Sequence, residues 1–134
     1  MAFGALFFIL FHEVGHGLSH TLRLPILGKE EDAADSIATY LILGIREPVT
    51  AVAGALWFFG TGSRTPSLQD YADEHSLGPQ RQFSLVCNAV GKDPAQFQSL
   101  AQGLKLPPER ASRCPAEYRQ LQRSVRQLLG AHLR

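Results

Sequence analysis

His12, Glu13 and His16, in the order His12-Glu13-Val14-Gly15-His16, have the residue types and spacing that zinc-assisted hydrolysis requires. On an α-helix, positions four apart share a face, so both imidazoles can address one metal ion while the Glu13 carboxylate stands beside it. A catalytic zinc takes three protein ligands plus a water, and a neighbouring carboxylate can take a proton from that water as it attacks a carbonyl. The pattern points to cleavage of a peptide bond, with His12 and His16 as metal ligands and Glu13 as catalytic base. The alternative is a metal-free pair of histidines on a buried helix. A carboxylate on such an apolar helix carries a desolvation cost unless it is used.

The third ligand has to come from elsewhere. His20 continues the same face but lies roughly 12 Å from His12 along the axis, at about 1.5 Å per residue, whereas Zn–N bonds are about 2 Å. One ion cannot hold all three. The metzincin extension, with Gly three residues and His six residues after the second His, is excluded because Ser19 and Leu22 occupy those positions. The acidic run Glu30-Glu31-Asp32-Ala33-Ala34-Asp35 is the next source. It opens a second helix, to about Leu43 or Arg46, and the short Pro25-Ile26-Leu27-Gly28 connection favours antiparallel packing on the first. Glu31 as a ligand would set Asp35 one turn along, where it can accept the outer N–H of a ligating imidazole. Glu30 and Asp32 read as acidic residues complementing the helix dipole.

These residues carry a resemblance. His12-Glu-x-x-His16 followed by Glu31-x-x-Ala34-Asp35-x-Ile37-Ala38-x-x-Leu41 resembles the gluzincin arrangement of thermolysin-like and ImmA/IrrE-type peptidases. Phe11 to His16 together with Leu24 to Asp35 is more similar still to a family of bacterial candidate metallopeptidases. That similarity continues through Tyr71-Ala72-Asp73-Glu74-His75, Gln80-Arg81, Cys87, Leu106-Pro107, Arg110-Ala111, Cys114 and Glu117-Tyr118, nearly the whole chain. It implies zinc held by His12, His16 and Glu31, Glu13 as base, and a peptide or protein substrate. Relatives of this kind normally carry an upstream segment with a secretion signal and cleft-lining strands, whereas Met1 stands eleven residues before His12. The expectation is a zincin-like core that is truncated at its N-terminus and lacks the strand-containing segment. On that ground the alternative function is a metal-binding, catalytically inactive interaction domain; hydrolysis of a non-peptide amide is a third.

Cys87 and Cys114 are too few and too far apart for a zinc knuckle. They read equally as two buried thiols or as a disulfide closing a loop of about 27 residues. The resemblance favours the bridge and with it a secreted or periplasmic location, although no signal peptide is visible.

The elements that must position these groups are helical. The chain of 134 residues, 45% hydrophobic, fits one domain with one core. Phe3 to Leu24 is helix-forming and is stopped by Pro25; its apolar run Ala2 to Phe11 is too short to span a bilayer and reads as the buried start of the active-site helix. Val49 to Gly60 reads as a buried third helix closed by the Gly60-Thr61-Gly62-Ser63 loop, so membrane contact is not expected. Ser67 with Asp70 is an N-cap pair, Gly78-Pro79 a break, and Asp93-Pro94-Ala95-Gln96 a capped helix start. Pro107-Pro108 interrupts, and Pro115 starts a last helix to about Leu129. No strand alternation stands out, so the fold class is all-α with about six helices.

His75 is the remaining candidate for catalysis. Preceding Gly78-Pro79 in a loop, it can reach a cleft and stabilise an oxyanion, a role often worth about 3 kcal/mol; capping a helix end is the other reading. Arg81 is either its partner or a structural ion-pair residue. The net charge of +1 gives no case for nucleic acid. Arg119, Arg123 and Arg126 on one face, with Arg110, Arg113 and Arg134, make a basic tail that reads as a solvated surface.

Overall fold

The computed structural model describes residues 2–61 and 65–132. Met1, Gly62, Ser63 and Arg134 lie outside these. Among the described residues there are seven α-helices, a closing 3-10 turn and no strand, so the all-helical class holds. The chain divides into two compact units, Met1–Gln82 and Phe83–Arg134.

The first unit is built on α1 (Ala2–Thr21), α2 (Glu30–Ile42) and α3 (Pro48–Gly60), with the short α4 (Leu68–Ala72) and the start of α5 (Gly78–Lys92). α1 packs on both α2 and α3. It ends at Thr21, earlier than Pro25 alone requires, because Arg23 adopts a left-handed φ of 51° and the Leu24 N–H bonds back to Ser19 C=O. α2 opens on Glu30, Glu31 and Asp32 without a side-chain cap, and these three carboxylates offset the positive end of the helix dipole. Ser67 and Asp70 form a reciprocal capping box at α4.

The interior of this unit combines small residues with a few large ones: Ala5, Ala34, Ala38, Ala51 and Ala55 are buried with Phe8, Ile42, Val52 and Phe59. Phe8 and Phe59 meet edge to face at 5.0 Å. Gly15 lies where α1 and α2 approach: a Cβ there would stand 2.9 Å from Ala34 Cα and 3.0 Å from its carbonyl oxygen. Gly15→Ala would gain roughly 1 kcal/mol of helix propensity, but overpacking against backbone costs about 1–3 kcal/mol. The expected outcome is net destabilisation of about 1 kcal/mol in urea unfolding.

The start of α1 departs from the sequence expectation. Gly4, Ala5 and Phe8 are buried, but Phe3, Leu6, Phe7, Ile9 and Leu10 are exposed. Composition marks the run as apolar on every side, whereas the helix has neighbours on one side only in this unit. Taken whole, α1 is long and apolar enough to cross a membrane by length and composition alone. α3 is buried as expected at Ala51, Val52, Ala55, Leu56 and Phe59, with Trp57 and Phe58 exposed.

The second unit holds the remainder of α5, then α6 (Pro94–Gly103) and α7 (Pro108–Leu129). Asp93 caps α6 by accepting the Gln96 N–H at 3.0 Å. α7 starts at Pro108 and runs through Pro115, which corrects the expectation of a helix starting at Pro115. Pro108 already provides the favoured first-turn proline, and the missing N–H of Pro115 removes a single bond from a helix of 22 residues. Cys114, next to it, is tied by a disulfide to Cys87 on α5, with Cα atoms 4.9 Å apart. Gly91 permits that approach, since a Cβ there would meet the Cys114 carbonyl oxygen at 2.2 Å. Replacing both cysteines with serine is expected to lower stability by about 3–4 kcal/mol, the loop-closure value for 27 residues, measurable as a lower urea midpoint that reductant no longer shifts.

Candidate metal centre

All the groups singled out for chemistry except the cysteines fall in the first unit. His12 and His16 lie one turn apart on α1, with His12 buried and His16 half-buried. α2 brings Glu31 against them. Its Oε2 lies 3.1 Å from His12 Nε2 and 3.3 Å from His16 Nε2, and the two Nε2 atoms are 3.1 Å apart. His75, from the loop between α4 and α5, places Nε2 2.9 Å from the same Glu31 oxygen. Three imidazoles therefore converge on one carboxylate oxygen.

The outer nitrogens fix the tautomers. A carboxylate can only accept, so an imidazole nitrogen bonded to one carries the hydrogen. His12 Nδ1 donates to Asp35 Oδ1 at 2.8 Å and His16 Nδ1 to Glu30 Oε1 at 2.8 Å. In their neutral forms both rings then present a bare Nε2 to Glu31 Oε2 and to each other. Facing lone pairs at about 3 Å repel unless protons or a cation lie among them. Four donors about 2.0–2.1 Å from a tetrahedral ion stand roughly 3.3–3.4 Å apart, so the separations among His12, His16 and Glu31 suit a divalent cation. His12, Glu31 and His75 likewise offer one donor each within 4.8 Å of one another.

Asp35 is itself clamped. Arg81 Nε donates to Asp35 Oδ2 and its Nη2 to Oδ1, both at 2.6 Å, and the guanidinium lies 4.2 Å over the Phe59 ring. Burial opposes ionisation of Asp35. The bonds from His12 and Arg81, with the Arg81 charge, outweigh it and hold the carboxyl below its ordinary range. The bond to Glu30 raises His16 above the usual imidazole value; partial desolvation opposes this, and the Glu31 charge adds to it. A metal ion must displace that proton to bind.

Glu13 is exposed on α1, about 60° around the helix from His16. His20 is exposed on the last turn. An open cleft of about 570 Å³ adjoins His16, lined by Lys29, Glu30, Glu31, Ala72, Asp73 and Glu74, within the range of small-ligand sites.

Sequence reasoning missed three contributors. Glu30, read only as a dipole partner, holds His16. Asp32 accepts Ser76 Oγ at 2.7 Å. Asp73 accepts both the backbone N–H of His75, at 2.8 Å, and its Nδ1–H, at 3.1 Å, and those bonds hold its own carboxyl below the ordinary range. The available signal was an acid two residues before a histidine, a local turn pattern. Arg81 is resolved as the partner of Asp35.

An all-helical chain in which a His-Glu-x-x-His helix meets a carboxylate helix defines a class of candidate metal centre. The family described as "Putative metallopeptidase" matches residues 1–129, and the chain belongs to that family. The family implies a metal ion and a peptide or protein substrate. Among curated proteins and among solved structures, nothing matches the chain.

Proposed function

We propose that the chain is a zinc-dependent peptidase in which His12, His16 and Glu31 hold the ion. The observation that carries this reading is the convergence of His12 Nε2 and His16 Nε2 on Glu31 Oε2 while their outer nitrogens donate to Asp35 and Glu30. Held by His12, His16 and Glu31, zinc would supply Lewis acidity for the scissile carbonyl and would make a water acidic enough to attack near neutral pH. Two imidazoles and one carboxylate form a donor set of the gluzincin type, and nitrogen and oxygen donors at these spacings suit zinc.

The side chains divide the remaining work. Asp35 fixes the His12 ring, and Glu30 fixes His16, each keeping the Nε2 lone pair turned inward. Arg81 balances the Asp35 charge and holds its orientation. Glu13, next to His12, takes a proton from the attacking water and returns it to the leaving amine. The cleft beside His16 gives an extended peptide a place to lie. The Cys87–Cys114 bridge supports an oxidising compartment, secreted or periplasmic.

The test is hydrolysis of a quenched-fluorescent peptide library. Cleavage should disappear when a chelator strips the metal and return when zinc is restored. Cleavage that survives the chelator would contradict the reading.

A further inference from the structure

We propose that His75 is a fourth protein ligand of the same ion, so that three imidazoles and one carboxylate close the resting site. The proposal rests on the metal reading above and adds to it.

His75 Nε2 is closer to Glu31 Oε2, at 2.9 Å, than either histidine of α1, at 3.1 and 3.3 Å. Its outer nitrogen is treated as theirs are. Asp73 Oδ1 takes the Nδ1–H of His75 as Asp35 takes that of His12 and Glu30 that of His16, which leaves the Nε2 lone pair turned inward. A carboxylate on the far nitrogen is the usual companion of a ligating histidine. An oxyanion donor has the opposite requirement, an N–H facing the cleft. The His75 ring also lies nearly parallel to that of His12, 25° between planes and 6.1 Å between centroids.

The loop carrying His75 is tied down on both sides of it. Lys29 Nζ donates to the Asp73 carbonyl at 3.3 Å, and Ser76 Oγ donates to Asp32 at 2.7 Å. Both anchors sit at the start of α2, beside Glu31, so one helix start positions the carboxylate and the loop together. A site with four protein ligands is of the closed, structural type and has no position left for water. The His75 side chain is 48% exposed, against 9% for His12, so it is the more accessible of the two and the one whose withdrawal would open a position.

The test uses cobalt(II) in place of zinc, with the full chain and the variants His75→Ala and Glu31→Ala. In the wild type, the visible absorption should be that of a four-coordinate site and should not respond to azide, a small anion that fills an open position. His75→Ala should weaken cobalt binding at least tenfold in a chelator competition, since a lost ligand costs no less than a lost supporting contact. Its spectrum should change and should respond to azide. Thermal unfolding of metal-free His75→Ala at the wild-type midpoint would show that the change is local. If His75→Ala keeps wild-type affinity and spectrum while Glu31→Ala loses the metal, the fourth ligand is overturned and the three-ligand reading stands. If the wild type takes up no cobalt, both fail.

Discussion

Glu13→Gln is expected to lower peptide hydrolysis by about 10²–10⁴-fold, the usual contribution of a positioned general base, with metal content unchanged. Gln has nearly the same size and the same reach but cannot accept a proton from water. Glu13 is exposed, so the substitution should cost within about 0.5 kcal/mol of stability, and loss of fold cannot account for loss of rate. Peptide turnover, bound metal and the urea midpoint measured on one preparation separate the three quantities. Unchanged turnover would remove Glu13 from catalysis. If the chain is instead an inactive metal-binding domain, the variant and the wild type should be equally silent against peptides.

Asp35→Ala is expected to produce the largest combined loss of stability and metal affinity. The Asp35 carboxylate holds the His12 ring and is gripped by Arg81 through two bonds. Removing it leaves the Arg81 side chain, only 15% exposed, without its charge partner. Breaking a fully buried pair in this way costs about 3–5 kcal/mol, and partial solvent access brings the expectation to about 2–3 kcal/mol. Metal affinity should fall by about 10–100-fold, because His12 loses the group that sets its tautomer and angle. Asp35→Asn separates the effects: its amide oxygen can still accept one bond, but not the paired grip of Arg81. The double variant with Arg81→Ala should recover part of the stability and none of the affinity. Urea unfolding and chelator competition read the two effects independently.

The parts of this architecture that follow local rules were legible in the sequence. Four-residue spacing put His12 and His16 on one face, and Glu31 and Asp35 on one face. The short connection from Pro25 to Gly28 implied that the two helices would meet, and α1 does pack on α2. Ser67 and Asp93 act as helix caps because capping depends on three or four neighbouring residues. What escaped was set by tertiary packing. The Glu30 side chain could complement a dipole or hold an imidazole, and only the approach of His16 decides between them. Arg81 finds Asp35 across 46 positions of sequence. The position of His75 beside Glu31 depends on anchors from Lys29 and Asp32 that no local pattern announces. The exposed side of α1 escapes local rules for the same reason, since hydrophobic content does not say how many neighbours a helix has. Pro115 lies inside α7 because a proline marks a helix start only when no better start precedes it.

The most direct test of the central claim is metal stoichiometry by elemental mass spectrometry on the purified chain and on Glu31→Ala. About one zinc per wild-type chain is expected, lost from the variant while its helical content is retained. A wild-type chain that binds no metal after incubation with zinc, or a Glu31→Ala chain that holds it as tightly as the wild type, would contradict it.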